Sequence, residues 1–148
     1  MIVGEFGHLA RRFAGSLSRR APAVADEQWA ADHLGPGEQA LWERMGNADR
    51  RHAVVVGRRF VERRPAATRV EVAGALLHDC GKVESSLGTA LRVLASVVGP
   101  RGARLRRYHD HEAIGARLAA EAGADPVTVS LIEGRGPAAP ALRAADKT

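Results

Sequence analysis

A single cysteine, Cys80, rules out an intrachain disulfide, so the fold cannot depend on an oxidising compartment. Aromatic residues make up only 4% of the chain, so alanine, valine and leucine must fill the core, which suits closely packed helices. No apolar run reaches the ~20 residues that a bilayer crossing needs. The longest, Leu87 to Val98, is broken by Gly88, Thr89, Arg92 and Ser96. No stretch alternates apolar and polar residues as a half-buried strand does, and no internal repeat is visible. The secretory pattern is missing too: Arg11, Arg12, Arg19 and Arg20 follow the first apolar residues, the reverse of an export signal. These absences lead to the expectation of a soluble, cytoplasmic, all-α protein with no transmembrane segment.

What is present fits one domain. A chain of 148 residues, 45% hydrophobic, can remove roughly 70% of its unfolded surface from water. Lysine and arginine number 22 against 17 acidic residues, a formal charge of +5, which favours anionic partners. A nucleotide, a nucleic acid and an anionic membrane surface are all attracted by such a field, and charge does not choose among them.

Ile2, Phe6, Leu9, Phe13 and Leu17 recur at helical spacing opposite the early arginines, so residues 2–18 read as an amphipathic helix; with a linker to residue 25 they form one segment, and residues 26–148 the helical domain. Helices are expected over 26–34 and 38–45, separated by Gly35, Pro36 and Gly37. Asp49 reads as the N-cap of a helix running to Arg63 and ended by Pro65. Thr68 and Glu71 form a capping box before an apolar helix that Gly81 is placed to terminate. Ser85 can cap a helix to Val98, and a basic loop carrying Arg101, Arg104, Arg106 and Arg107 is expected next. Helices over 111–122 and from Asp125-Pro126 to Glu133 follow, with a break from Gly134 to Pro140 and a short C-terminal helix.

The chemistry-bearing residues sit on inward faces. His52 shares a stripe with Val55, Val56 and Phe60, and His111 with Ile114, Gly115, Leu118 and Ala119. The apolar helix after Thr68 ends abruptly in His78, Asp79, Cys80, Gly81 and Lys82. Ionisable groups at the end of a buried helix need partners. A divalent metal satisfies several at once, since neutral imidazole and carboxylate are both good ligands. Neighbouring helical residues diverge by about 100°, so His78 and Asp79 meet one ion only at a helix end.

His52, then His78-Asp79, then Asp146 resembles the H…HD…D signature of the HD superfamily of metal-dependent phosphohydrolases. Arg51-His52 opening a helix, Leu76-Leu77-His78-Asp79 with Gly81-Lys82 after it, and His111-Glu112-Ala113-Ile114-Gly115-Ala116 are each similar to local patterns of that family, over residues 48–146. The resemblance implies an HD-domain-like helical bundle that hydrolyses a phosphomonoester or phosphodiester, a nucleotide-like one above all. It implies a divalent ion (manganese, iron, magnesium, zinc, nickel or cobalt) held by His52, His78, Asp79 and Asp146, with His111 as a second-metal ligand. Asp79 would also orient the attacking water, and Lys82 would meet the substrate phosphate as a point charge. Glu133-Gly134-Arg135-Gly136 stands where two-metal members carry another histidine pair, which favours one ion. The competing expectation is a nucleotide-sensing or nucleic-acid-binding helical module with a degenerate metal site.

Overall fold

In the computed structural model of the chain, residues 20–82 and 102–147 are described, with side chains over 20–82 and 111–147. The expected helices over 2–18 and 85–98 lie outside the described residues. Everything regular among the described residues is helical: α1 (Val24–His33), α2 (Pro36–Glu43), α3 (Asn47–Arg63), α4 (Arg69–Leu77), α5 (Gly102–Glu121), α6 (Pro126–Ile132) and α7 (Ala139–Lys147). No helix among them is long and apolar enough to cross a membrane.

The hub is α4. Its sequence is apolar on every side after the first turn, and such a helix belongs inside a bundle. Residues Glu71 to Leu77 are all buried, with Leu76 and Leu77 fully inaccessible. Each buried leucine stabilises the fold by about 1.5–3 kcal/mol relative to exposure. α4 packs between α3 and α6, α7 lies on α3, and α5 lies on α6. Gly74 permits the close approach of α4 to α6: a Cβ there would fall 2.9 Å from Leu131. The start of α4 is fixed by the Thr68–Glu71 capping box, in which Glu71 Oε1 accepts the Thr68 N–H at 2.9 Å and Thr68 Oγ1 accepts the Glu71 N–H at 3.3 Å.

Other boundaries correct the sequence-based expectations. α1 opens at Val24, two residues before Asp26, and α2 opens on Pro36 instead of being broken by it. Proline at the first helical position loses no hydrogen bond, and the Gly35 N–H donates to Glu38 Oε1 at 2.8 Å. Gly46, not Asp49, is the N-cap of α3, so Asp49 falls in the first turn. The basic stretch after Gly102 is the first half of the 20-residue α5, not a loop. α7 begins at Ala139, inside the expected break, and Gly134 and Gly136 take φ of +78° and +97° before it. Val55 stands 45% exposed, away from the buried Val56 and Phe60.

Gly81 also acts differently from a helix cap. α4 ends at Leu77, and Gly81 is not among the residues with positive φ. A Cβ at Gly81 would lie 2.1 Å from the His111 carbonyl oxygen and 3.0 Å from the Gly115 nitrogen. The glycine is required because the turn after α4 presses directly on the backbone of α5.

Candidate metal centre

That turn places the first chemical groups. His78 caps α4 with helical φ and ψ, and the chain folds back through the Cys80 N–H to Leu77 O bond at 2.9 Å and the Lys82 N–H to Asp79 O bond at 3.1 Å. His78 Nδ1 lies 2.6 Å from the Ala75 carbonyl oxygen. A carbonyl only accepts, so Nδ1 carries the proton and the neutral ring presents its lone pair at Nε2. The His78 side chain is 10% exposed, and Nε2 is buried with no hydrogen-bond partner among the described residues.

Two other helices converge on this nitrogen. From α3, His52 Nε2 stands 3.1 Å from Asp146 Oδ1; the same Oδ1, on α7, is 3.4 Å from His78 Nε2. The two imidazole rings tilt at 54° with centroids 6.2 Å apart. Ligand atoms of His52, His78 and Asp146 all lie within 4.8 Å of one another. Around a tetrahedral ion with metal–nitrogen bonds of 2.0–2.1 Å, ligand atoms stand roughly 3.3 Å apart. The 3.1 and 3.4 Å separations match that spacing, and the unbonded His78 Nε2 is the kind of buried donor that a cation would satisfy.

The same proximity governs the charges. The hydrogen bond from His52 first, and the closeness of the His78 imidazole next, hold the Asp146 carboxyl below the usual carboxylate range, against the opposing effect of burial. For His78 burial is the largest influence and disfavours the charged ring, but Asp146 and then the charge of Asp79 outweigh it and raise the pKa.

Comparison with protein-family models, curated proteins and solved structures found no match.

Asp79 and Lys82, two of the remaining sequence candidates, border the trio without joining it. Asp79 Oδ2 is 3.5 Å from His78 Nε2 and 3.4 Å from Lys82 Nζ, so this carboxylate lies between an imidazole and an ammonium. Lys82 also comes within 3.9 Å of Asp49 Oδ1. His111 belongs to the part of α5 on which the Gly81 turn rests, and its Nδ1 is buried with no hydrogen-bond partner among the described residues. Cys80 is fully buried, its Sγ 3.5 Å from the Gly115 carbonyl oxygen, and burial followed by the charge of Asp79 pushes its thiol up to about 12. It is a packed thiol and not a nucleophile.

Asp49 was read from the sequence only as a cap. Its signal was available: it precedes His52 by three residues, which puts carboxylate and imidazole on one face of α3. Chemically the arrangement can hold one divalent ion through two imidazoles and a carboxylate. Three protein ligands leave positions for water or substrate, as catalytic sites require.

Proposed function

We propose that the chain is a metal-dependent phosphohydrolase with an HD-domain-like bundle, acting on a phosphomonoester or phosphodiester of nucleotide type. The observation that carries this reading is the convergence of His52, His78 and Asp146 from three separate helices to within 4.8 Å, in the order and with the neighbouring Asp79 that the sequence pattern calls for. A divalent ion held there would supply Lewis acidity toward a phosphoryl oxygen and acidify water toward neutral pH.

The protein's own contributions are specific. Ala75 fixes the His78 tautomer that leaves Nε2 for ligation. Asp79, beside the trio, is placed to complete the ligand set or to accept a proton from the attacking water. Lys82 stands at the partly open edge, 47% exposed, where its ammonium can meet a phosphate oxygen. The net charge of +5 draws anionic substrate toward the molecule.

The test is divalent metal per chain in the wild type and in Asp146→Ala and His52→Ala, followed by a phosphoester panel with the metal restored. Near-stoichiometric metal, lost in both variants, with metal-stimulated turnover is the expected result. Failure to take up any divalent ion would remove the proposal.

One observation favours a second reading. Asp79 stands outside the three-atom cluster with Lys82 beside it, which suits a weakened site in a nucleotide-sensing or nucleic-acid-binding module. Salt-sensitive nucleic-acid binding that survives chelation would select it.

A further inference from the structure

Asp79 Oδ2 lies 3.5 Å from His78 Nε2 and accepts a hydrogen bond from Lys82 Nζ at 3.4 Å. An ammonium that closed fully onto this oxygen would neutralise its charge and repel a cation beside it. Lys82 has a second carboxylate within reach, Asp49 Oδ1 at 3.9 Å. Asp49 stands in the first turn of α3. It is tied to the site by its own helix, which carries His52 one turn later.

We propose that Asp49 is a positioning residue for the metal centre. It competes with Asp79 for the Lys82 ammonium, so that Asp79 can join His52, His78 and Asp146 on a divalent cation, and it keeps Lys82 at the edge of the site where a bound phosphate would meet it. This rests on the metal reading above and adds to it a residue and a division of charge. Asp49 acts through Lys82 and does not touch the cation.

The experiment is a calorimetric titration of Mn2+ into the metal-free full chain, as wild type, Asp49→Asn, Lys82→Met and the double variant, with Asp49→Glu as the conservative control. Circular dichroism checks that each variant is folded. Asp49→Asn is expected to weaken Mn2+ binding about three- to fivefold, the scale of one exposed ion pair. Asp49→Glu should restore it, and Asp49→Asn should have no effect once Lys82 is methionine. Equal weakening with and without Lys82 would overturn the proposal, because the effect would then be simple loss of a nearby negative charge. Unchanged Mn2+ affinity in Asp49→Asn would also overturn it while leaving the metal centre intact. Absence of Mn2+ binding in the wild type would remove both.

Discussion

Gly81→Ala is the sharpest perturbation of the link between packing and site. The added Cβ would lie 2.1 Å from the His111 carbonyl oxygen, 3.1 Å from its carbonyl carbon and 3.0 Å from the Gly115 nitrogen. Carbon–oxygen contacts settle near 3.3–3.6 Å, so the turn and α5 must separate by about 1.2 Å. All three obstructing atoms are backbone, and no rotamer change relieves them. Overpacking of this kind costs roughly 1–3 kcal/mol. For a chain of this length that lowers the melting temperature by roughly 3–10 °C.

The displaced turn carries His78 and Asp79, so metal affinity should fall as well, by roughly 10–100-fold if the ligands are disturbed as they are when their supporting groups are removed. A control separates the two effects. Gly37→Ala meets the Ala122 carbonyl oxygen at 2.0 Å, the same kind of backbone collision, here between α2 and the turn that follows α5, with no member of the His52, His78 and Asp146 trio on either segment. Denaturant unfolding of the metal-free proteins should show both variants destabilised, and metal titration well below the transition should show only Gly81→Ala impaired. A Gly81→Ala protein within about 0.5 kcal/mol of wild type would refute the close approach. Equal metal loss in Gly37→Ala would refute the argument that the turn transmits it.

Two further outcomes follow from buried groups. Cys80, with its thiol pushed up to about 12, should resist a thiol reagent at pH 8 in the native protein and react at once after unfolding; rapid native labelling would contradict its packing against Gly115. Glu71 is 5% exposed, and the Thr68 N–H together with the Arg64 guanidinium at 3.0 Å overcomes the opposing effect of burial to hold its pKa below the ordinary 4.5. A lowered folded-state pKa means that the unfolded chain takes up the proton first on acidification, so this stabilisation is full above pH 4.5 and is lost as pH falls through the lowered value. Melting curves should therefore show Glu71→Gln less stable than wild type at pH 7, with the gap narrowing on acidification; a gap independent of pH would exclude the charge as its origin.

The helical class and the centre of the bundle were legible because side chains encode them. The capping box announced α4, and a run of apolar residues with no polar face marked it as buried. Boundaries set by backbone alone were not legible. Gly35 and Gly46 begin α2 and α3 without any side-chain cap of their own, so the reading shifted to the nearest polar candidate. The basic stretch before His111 was read as a loop from its charge, although arginine is a good helix former, and α5 runs through it. Val55 failed for an angular reason. At 100° per residue it stands about 60° to one side of His52, whereas Val56 and Phe60 stand about 40° and 80° to the other, and the core lies on that second side.

The candidate site follows the same division. His78 and Asp79 were readable as a pair at a helix end, but their 100° divergence persists because His78 still has helical φ and ψ, so the imidazole joins the trio while the carboxylate reaches only its border, with Oδ2 3.5 Å from His78 Nε2. Which member of an adjacent pair faces inward depends on the residue where the helix ends, and here that is set by the contact of Gly81 with α5. Asp146 shows the reverse. Nothing local distinguishes it from any carboxylate on a terminal helix, and it is 43% exposed. Its place is fixed by the inward seam of Ala139, Leu142 and Ala145, which seats α7 on α3 and brings Oδ1 within 3.1 Å of an imidazole on a residue 94 positions earlier. Small side chains on that seam allow the two helices to approach closely, so enlarging Ala145 should push Asp146 away from His52 even though the carboxylate itself is untouched.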